Sequence, residues 1–326
     1  MGNPKVSVLI PIFGVEKFIR HCASSLFSQT LKDDIEFIFV NDSTKDSSMQ
    51  ILNEVISEFP ERQKQIKIIN HDGNKGLAAV RKTAVLAAKG DYVIHCDSDD
   101  RVEPDIYETM YKTAVNKNAD IVICNFFEER ANGSHVIKQS LADSCLEIVR
   151  SICLYELTDT ALSPFLWNRM IKRSFYINNC FFADTRISFL EDLVITIPMH
   201  LCTENVALVQ KPLYHYNKIN SGSMTREKSL KKIESCRLAK DYIERFLHCK
   251  SADNILPELN QRFFFYYLPL ITSLEAYNPR LWLKLVDSNT KVELVSRSRI
   301  SVWLVRHKLF TLNKILNLII RLIFKK

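Results

Sequence analysis

The run Tyr92-Val93-Ile94-His95-Cys96 passes directly into Asp97-Ser98-Asp99-Asp100. A short β-rich segment that ends in acid is the unit whose repetition decides the fold. Working outward, similar runs lie at 6–10, 35–40, 66–70 and 121–124, bounded by Pro, Asp or Gly, as expected of buried strands. Amphipathic stretches at 15–27, 46–59, 77–88 and 104–116 alternate with them, the last opening on Pro104, a favoured first helical residue. This alternation predicts an α/β fold, a mostly parallel sheet with helices on both faces. Ligands of such sheets gather at the carboxyl ends of the strands. Here those ends read Pro11-Ile12-Phe13-Gly14, Asn41-Asp42-Ser43, Asp72-Gly73-Asn74-Lys75-Gly76 and Asp97-Ser98-Asp99-Asp100, so carboxylates and glycines converge on one rim.

The rest of the chain narrows the classes. No glycine-rich dinucleotide fingerprint follows the first strand and no Gly-Lys-Ser/Thr phosphate loop occurs, which sets aside dehydrogenases and P-loop NTPases. Nine cysteines, an odd number with no Cys-x-x-Cys pair, read as reduced thiols of a cytoplasmic protein rather than a disulfide frame. The net charge of +7 comes mostly from Arg306, Lys308, Lys314, Arg321, Lys325 and Lys326, which leaves the body nearly neutral and argues against nucleic-acid binding. Residues 161–225 read as irregular and aromatic-rich, and from about 226 the pattern is helical. The division expected is therefore 1–225 as catalytic domain and 226–326 as a C-terminal helical region.

Asp97 and Asp99 are two residues apart, a spacing that points both to the same side of an extended chain. Two aligned carboxylates repel unless a cation or donors neutralise them, and Mg²⁺ or Mn²⁺ takes such hard oxygens together with phosphates. The plain alternative is an acidic loop that favours the start of the next helix. The order Val6-Ser7-Val8-Leu9-Ile10-Pro11-Ile12-Phe13, Asn41-Asp42-Ser43, Asn74-Lys75-Gly76-Leu77 with Arg81, and Asp97-Ser98-Asp99-Asp100 resembles the inverting family 2 glycosyltransferases of the GT-A (Rossmann-like) fold. Ala119-Asp120-Ile121-Val122, Leu166-Trp167-Asn168-Arg169, Glu191-Asp192-Leu193 and Leu213-Tyr214-His215-Tyr216 continue the resemblance over about the first 225 residues.

That resemblance implies a nucleotide-sugar donor, most often a UDP-sugar. By analogy Pro11, Phe13 and Glu16 border the nucleoside and Asp42 bonds the uracil. Asn74, Gly76, Arg81, Asp97 and Ser98 lie near the nucleotide and donor, Asp99 holds Mn²⁺ or Mg²⁺ on the diphosphate, and Asp100 and Trp167 meet a sugar. Asp192 matches the catalytic base, with Glu191 in support. The sequence departs from the family where the common Asp-Gly-Ser becomes Asp42-Ser43-Thr44 and the common Arg-Asn becomes Arg81-Lys82. Plainer readings stand beside these: Glu191-Asp192 as an acid pair at a helix start, Trp167 as core, and His215 as a core or loop histidine. His71 and His95 receive no role.

The implied reaction transfers a hexose or N-acetylhexosamine to a saccharide or lipid-linked saccharide, in polysaccharide or lipopolysaccharide synthesis. A non-catalytic scaffold of the same fold and a nucleotidyltransferase are the rivals. Residues 301–326 mix six basic residues with many apolar ones and no acid, which suits a helix lying on an anionic bilayer at the inner face of the cell membrane. Packing against the body is the alternative. Residues 226–300 read as support for that tail or for a homodimer.

Overall fold

A computed structural model describes residues 4–158, 162–220 and 229–271, the last four of these by backbone alone. The chain forms two compact units, Met1–Ser223 and Met224–Lys326.

The first unit opens with β1 (Val6–Ile12), α1 (Ile19–Phe27), β2 (Ile35–Asn41), α2 (Ser48–Glu58), β3 (Ile66–Asn70), α3 (Leu77–Ala87) and β4 (Tyr92–His95). The register β1–β2, β2–β3 and β1–β4 is parallel throughout. Alternation decides which side chain goes where. Val6, Val8, Ile10 and Ile12 join Phe37, Phe39, Tyr92 and Ile94 in one core with residues of α1 and α2. Leu9, Ile38, Val40 and Val93 are buried on the opposite face, where α3 packs against β1 and β2. Burial on both faces is why these strands read as continuous apolar runs.

The unit continues with β5 (Arg101–Val102), α4 (Ile106–Lys117), β6 (Ile121–Arg130), β7 (Gly133–Ile137), α5 (Cys145–Cys153), β8 (Arg169–Lys172), α6 (Arg173–Asn178), α7 (Glu191–Leu201) and β9 (Val206–Asn217). Strand order is β3-β2-β1-β4-β8-β6-β9-β5, with β7 hairpinned onto β6. β8 is antiparallel to both β4 and β6, and β9 is parallel to β6. The sheet is thus parallel from β3 to β4 and mixed beyond. Its order reverses between β1 and β4, the position at which such sheets open a crevice for ligand.

Two local expectations shift. α4 starts at Ile106, not at Pro104, whose carbonyl instead accepts from the Thr30 N–H at 2.8 Å. The segment read as irregular holds β8, α6, α7 and β9. β8 has four residues and two charged ends, too short for a period to show. β9 is interrupted by Pro212, and its pairing with β6 shifts register between Cys124 and Phe126, a bulge that masks alternation.

The second unit contains α8 (Leu230–Cys249) and α9 (Leu256–Ile271). Among the described residues no helix is long and apolar enough to cross a membrane. The basic tail 301–326, with the membrane attachment expected of it, lies outside the described residues.

Candidate active site

β4 ends at the crevice, and the four acidic or polar residues that follow divide by what they touch. Asp97 faces Arg81 of α3, its Oδ1 3.2 Å from Arg81 Nη2. The same nitrogen lies 3.5 Å from Glu191 Oε1 and 3.4 Å from Asp192 Oδ1. One guanidinium therefore joins the end of β4 to the start of α7. Arg81 is almost fully buried, whereas the Asp97 and Asp192 side chains keep 26% and 18% of their surface, so the carboxylates rather than the cation face the crevice.

The electrostatics follow from that geometry. Burial alone would lower the Arg81 pKa, but Asp97, Asp192 and Glu191 outweigh it and hold the guanidinium more firmly charged. Burial pushes Asp192 well above the usual carboxylate range; Arg81 offsets part of this, and Glu191 and Asp97 add to it. Burial raises Glu191 as well, again against Arg81. A carboxylate raised in this way is a stronger proton acceptor than one in water. Leu190, just before the pair, adopts φ +70°, a left-handed conformation rare for a bulky residue and typical of strained functional sites. It turns the chain so that α7 begins with its two acids at the crevice.

Asp99 and Asp100 go elsewhere. Asp100 is buried and turned inward: Tyr214 Oη donates to its Oδ2 at 2.7 Å and the Asn217 N–H to its Oδ1 at 2.7 Å. Tyr214 Oη also accepts from the Asp97 N–H at 3.0 Å, so Asp100 shapes the loop and does not present itself to a sugar. Asp99 accepts from Asn220 Nδ2 at 2.8 Å. Burial raises its carboxyl, and the charge of Asp97 raises it further. A hard oxygen donor opposed by burial and a like charge is a place where a divalent cation fits. Among the described residues no group of three or more His, Cys, Asp or Glu could hold a metal ion. An ion at Asp99 would have to complete its shell with diphosphate oxygens and water.

Asp42, at the end of β2, heads a second group. Its Oδ1 accepts from the Lys75 N–H at 2.9 Å and its Oδ2 from the Gly76 N–H at 2.8 Å. Gly76 (φ +85°) is the residue before α3, and a positive φ there is open to glycine at little cost. His71 Nδ1 lies 2.8 Å from Asp42 Oδ1, and its Nε2 3.0 Å from Thr83 Oγ1 of α3. Ser43, standing where the family glycine is missing, still takes φ +58° and donates to the His71 carbonyl at 3.2 Å. Phe13 is 55% exposed at the rim, Pro11 is half-buried and Asn74 exposed. Glu16 ties the loop after β1 to α2, its Oε2 accepting from the Ser47 N–H at 3.0 Å. Ser98 is buried.

Trp167 corrects the expectation of a sugar platform. It is 2% exposed and stacked on one side by Phe165 (4.8 Å, 14°) and on the other by Tyr214 (4.3 Å, 15°), so neither face of the indole is free. His215 sits between Glu129 (2.6 Å) and Glu103 (2.7 Å) and stacks on Phe127, in a charge cluster that ties β5 and β6 to β9.

Three residues near the site were missed. His71 is one. The others are His95 and Tyr176, whose rings lie 6.3 Å apart beside Arg81. Both His95 ring nitrogens, Tyr176 Oη and Arg81 Nε and Nη1 are buried without a protein hydrogen-bond partner. The available signal was position: His71 follows β3 and His95 ends β4, on the rim that carries the acids.

Residues 7–196 match the model of the family described as Glycosyl transferase family 2. The chain is 32% identical over 237 residues to the Bacillus subtilis protein named "Putative glycosyltransferase EpsH", covering 72% of this chain and 67% of EpsH. It is 27% identical over 303 residues to the cholesterol galactosyltransferase of Borreliella burgdorferi, covering 90% and 82%. The crystal structure of Staphylococcus aureus TarS 1–349 in complex with UDP-GlcNAc superposes with a TM-score of 0.72 at 19% identity, covering 97% of this chain and 91% of TarS 1–349.

Proposed function

Because the chain belongs to glycosyl transferase family 2 and is a glycosyltransferase of the GT-A fold, we propose that it moves a hexose or N-acetylhexosamine from a UDP-sugar to an acceptor hydroxyl with inversion. The observation that carries this is Arg81 Nη2 within 3.2–3.5 Å of Asp97, Glu191 and Asp192. It brings a carboxylate beside the donor and a basic carboxylate into one electrostatic unit. The UDP-GlcNAc complex of TarS supports the donor class. The acceptor is a saccharide or a lipid-linked saccharide, as polysaccharide or lipopolysaccharide synthesis requires.

An alcohol is a weak nucleophile at neutral pH. Asp192 takes its proton as the oxygen attacks the anomeric carbon from the side opposite the nucleotide. Asp97 faces the ribose or the transferred sugar. Asp42 and Phe13 border the uracil. Transfer requires that the anomeric carbon be shielded from water, since the same carboxylates would otherwise promote hydrolysis. Asp99 would hold Mn²⁺ or Mg²⁺, which would offset charge on the departing diphosphate. The basic tail 301–326 would bring the enzyme to the inner face of the cell membrane, where a lipid-linked acceptor resides.

The test is UDP release from a panel of UDP-sugars, with UDP binding followed by calorimetry. Asp192→Asn should cut transfer by at least about 10³-fold, toward the upper part of the range attributed to general-base catalysis, and keep UDP affinity near wild type. Asp99→Ala should lose the Mn²⁺-dependent part of UDP binding. Undiminished transfer in the first variant rejects the base, and unchanged metal dependence in the second rejects the metal role. Pyrophosphate release from a nucleoside triphosphate would identify a nucleotidyltransferase instead.

A further inference from the structure

We infer that His71 is a specificity-determining positioning residue, one that acts through Asp42 to make the nucleotide pocket choose uracil over cytosine. The inference rests on the reading of Asp42 as the group that meets the base.

The argument is a count of donors and lone pairs. An ionised carboxylate only accepts. The contact at 2.8 Å from His71 Nδ1 to Asp42 Oδ1 therefore needs the proton on Nδ1. Nε2, on the far side of the ring, lies 3.0 Å from Thr83 Oγ1 of α3. Oδ1 of Asp42 then has two donors, His71 and the Lys75 N–H, while Oδ2 has one, the Gly76 N–H. The lone pair left on Oδ2 is the part of the carboxylate available to a ligand. Uracil presents N3–H, a donor that this lone pair accepts; cytosine presents a bare N3, which it repels. The Asp42 and His71 side chains are only 4% and 7% exposed, so a rotated carboxylate would not be compensated by solvent. The two backbone donors take one position on each oxygen and leave the two alike; His71, tied at its far nitrogen to α3, fills the second position on Oδ1 and leaves Oδ2 as the acceptor.

The experiment measures Kd for UDP and for CDP by calorimetry in the full chain with Mn²⁺ present, in His71→Asn, His71→Gln, Thr83→Val and Asp42→Asn. Asn places an amide N–H near the position of Nδ1, whereas Gln reaches only toward Nε2. His71→Gln should weaken UDP about tenfold, the scale of one hydrogen bond to a charged group, while CDP changes less, so that the CDP/UDP ratio of Kd shrinks. His71→Asn should restore most of that ratio, and Thr83→Val, nearly isosteric, should move it slightly in the same direction as Gln. Equal weakening of UDP and CDP in both His71 variants, or no change in either, overturns the inference while leaving Asp42 in place. An unaltered ratio in Asp42→Asn overturns the reading of Asp42 itself.

Discussion

Arg81 carries one positive charge against three carboxylates, so its removal leaves buried acids with nothing to offset them. Arg81→Gln should cost roughly 3 kcal/mol of stability in urea titrations, the scale of a broken buried pair. It should also move the pH profile with a definite sign. Arg81 pulls the Asp192 pKa down against burial; without it the acid holds its proton to higher pH. The acidic limb of kcat/KM, expected above the ordinary carboxylate range, should therefore shift to still higher pH, and a limb that stays put or falls would contradict the assignment. Because the acids are coupled, the value read belongs to the group as a whole. That Asp97 and Asp192 are neighbours was legible through the order of the motifs, which places both at the crevice beside Arg81. Trp167 was not, since an indole in a core and an indole under a sugar look alike until both its faces are accounted for. His71 is not legible in the sequence, because a histidine one residue beyond a strand has no pattern and its contact is with a carboxylate 29 positions earlier.

Helix α3 carries both halves of the site. Its leading glycine and Thr83 serve Asp42, and Arg81 serves the acids at β4 and α7. Its position rests on strands that meet tightly at Gly90, where an added Cβ would lie 2.7 Å from the Ser7 backbone nitrogen and 2.9 Å from the Val6 carbonyl carbon. Gly90→Ala should thus prise the turn before β4 away from β1 and lower stability by about 1–3 kcal/mol, the cost of overpacking, in a denaturant melt. The four parallel strands were readable because each is an unbroken β-rich run closed by a turn or an acid, and α1 to α4 because each is long enough to show its period. β8 and β9 were not, because one has a charged residue at each end of only four and the other is broken by a proline and a bulge. The antiparallel insertion of β8 between β4 and β6 is a matter of tertiary pairing, on which local periodicity is silent.

Charge is unevenly distributed over the chain as a whole, with a nearly neutral body and six basic residues and no acid in 301–326. Each basic residue near an anionic surface contributes about 1 kcal/mol, screened by salt. The full chain should sediment with phosphatidylglycerol vesicles at low salt and be released at about 0.5 M NaCl, roughly three times physiological ionic strength. A chain lacking 301–326 should remain in the supernatant; equal sedimentation of the two would reject the tail as the attachment. The stacking of Trp167 has a practical consequence for such studies. The chain has three tryptophans, and this one lies against Tyr214, whose hydroxyl grips both Asp100 and the backbone of Asp97. With Trp282 and Trp303 replaced by Phe, its emission becomes an intrinsic optical gauge of the acidic loop, so donor occupancy can be followed in real time without any dye.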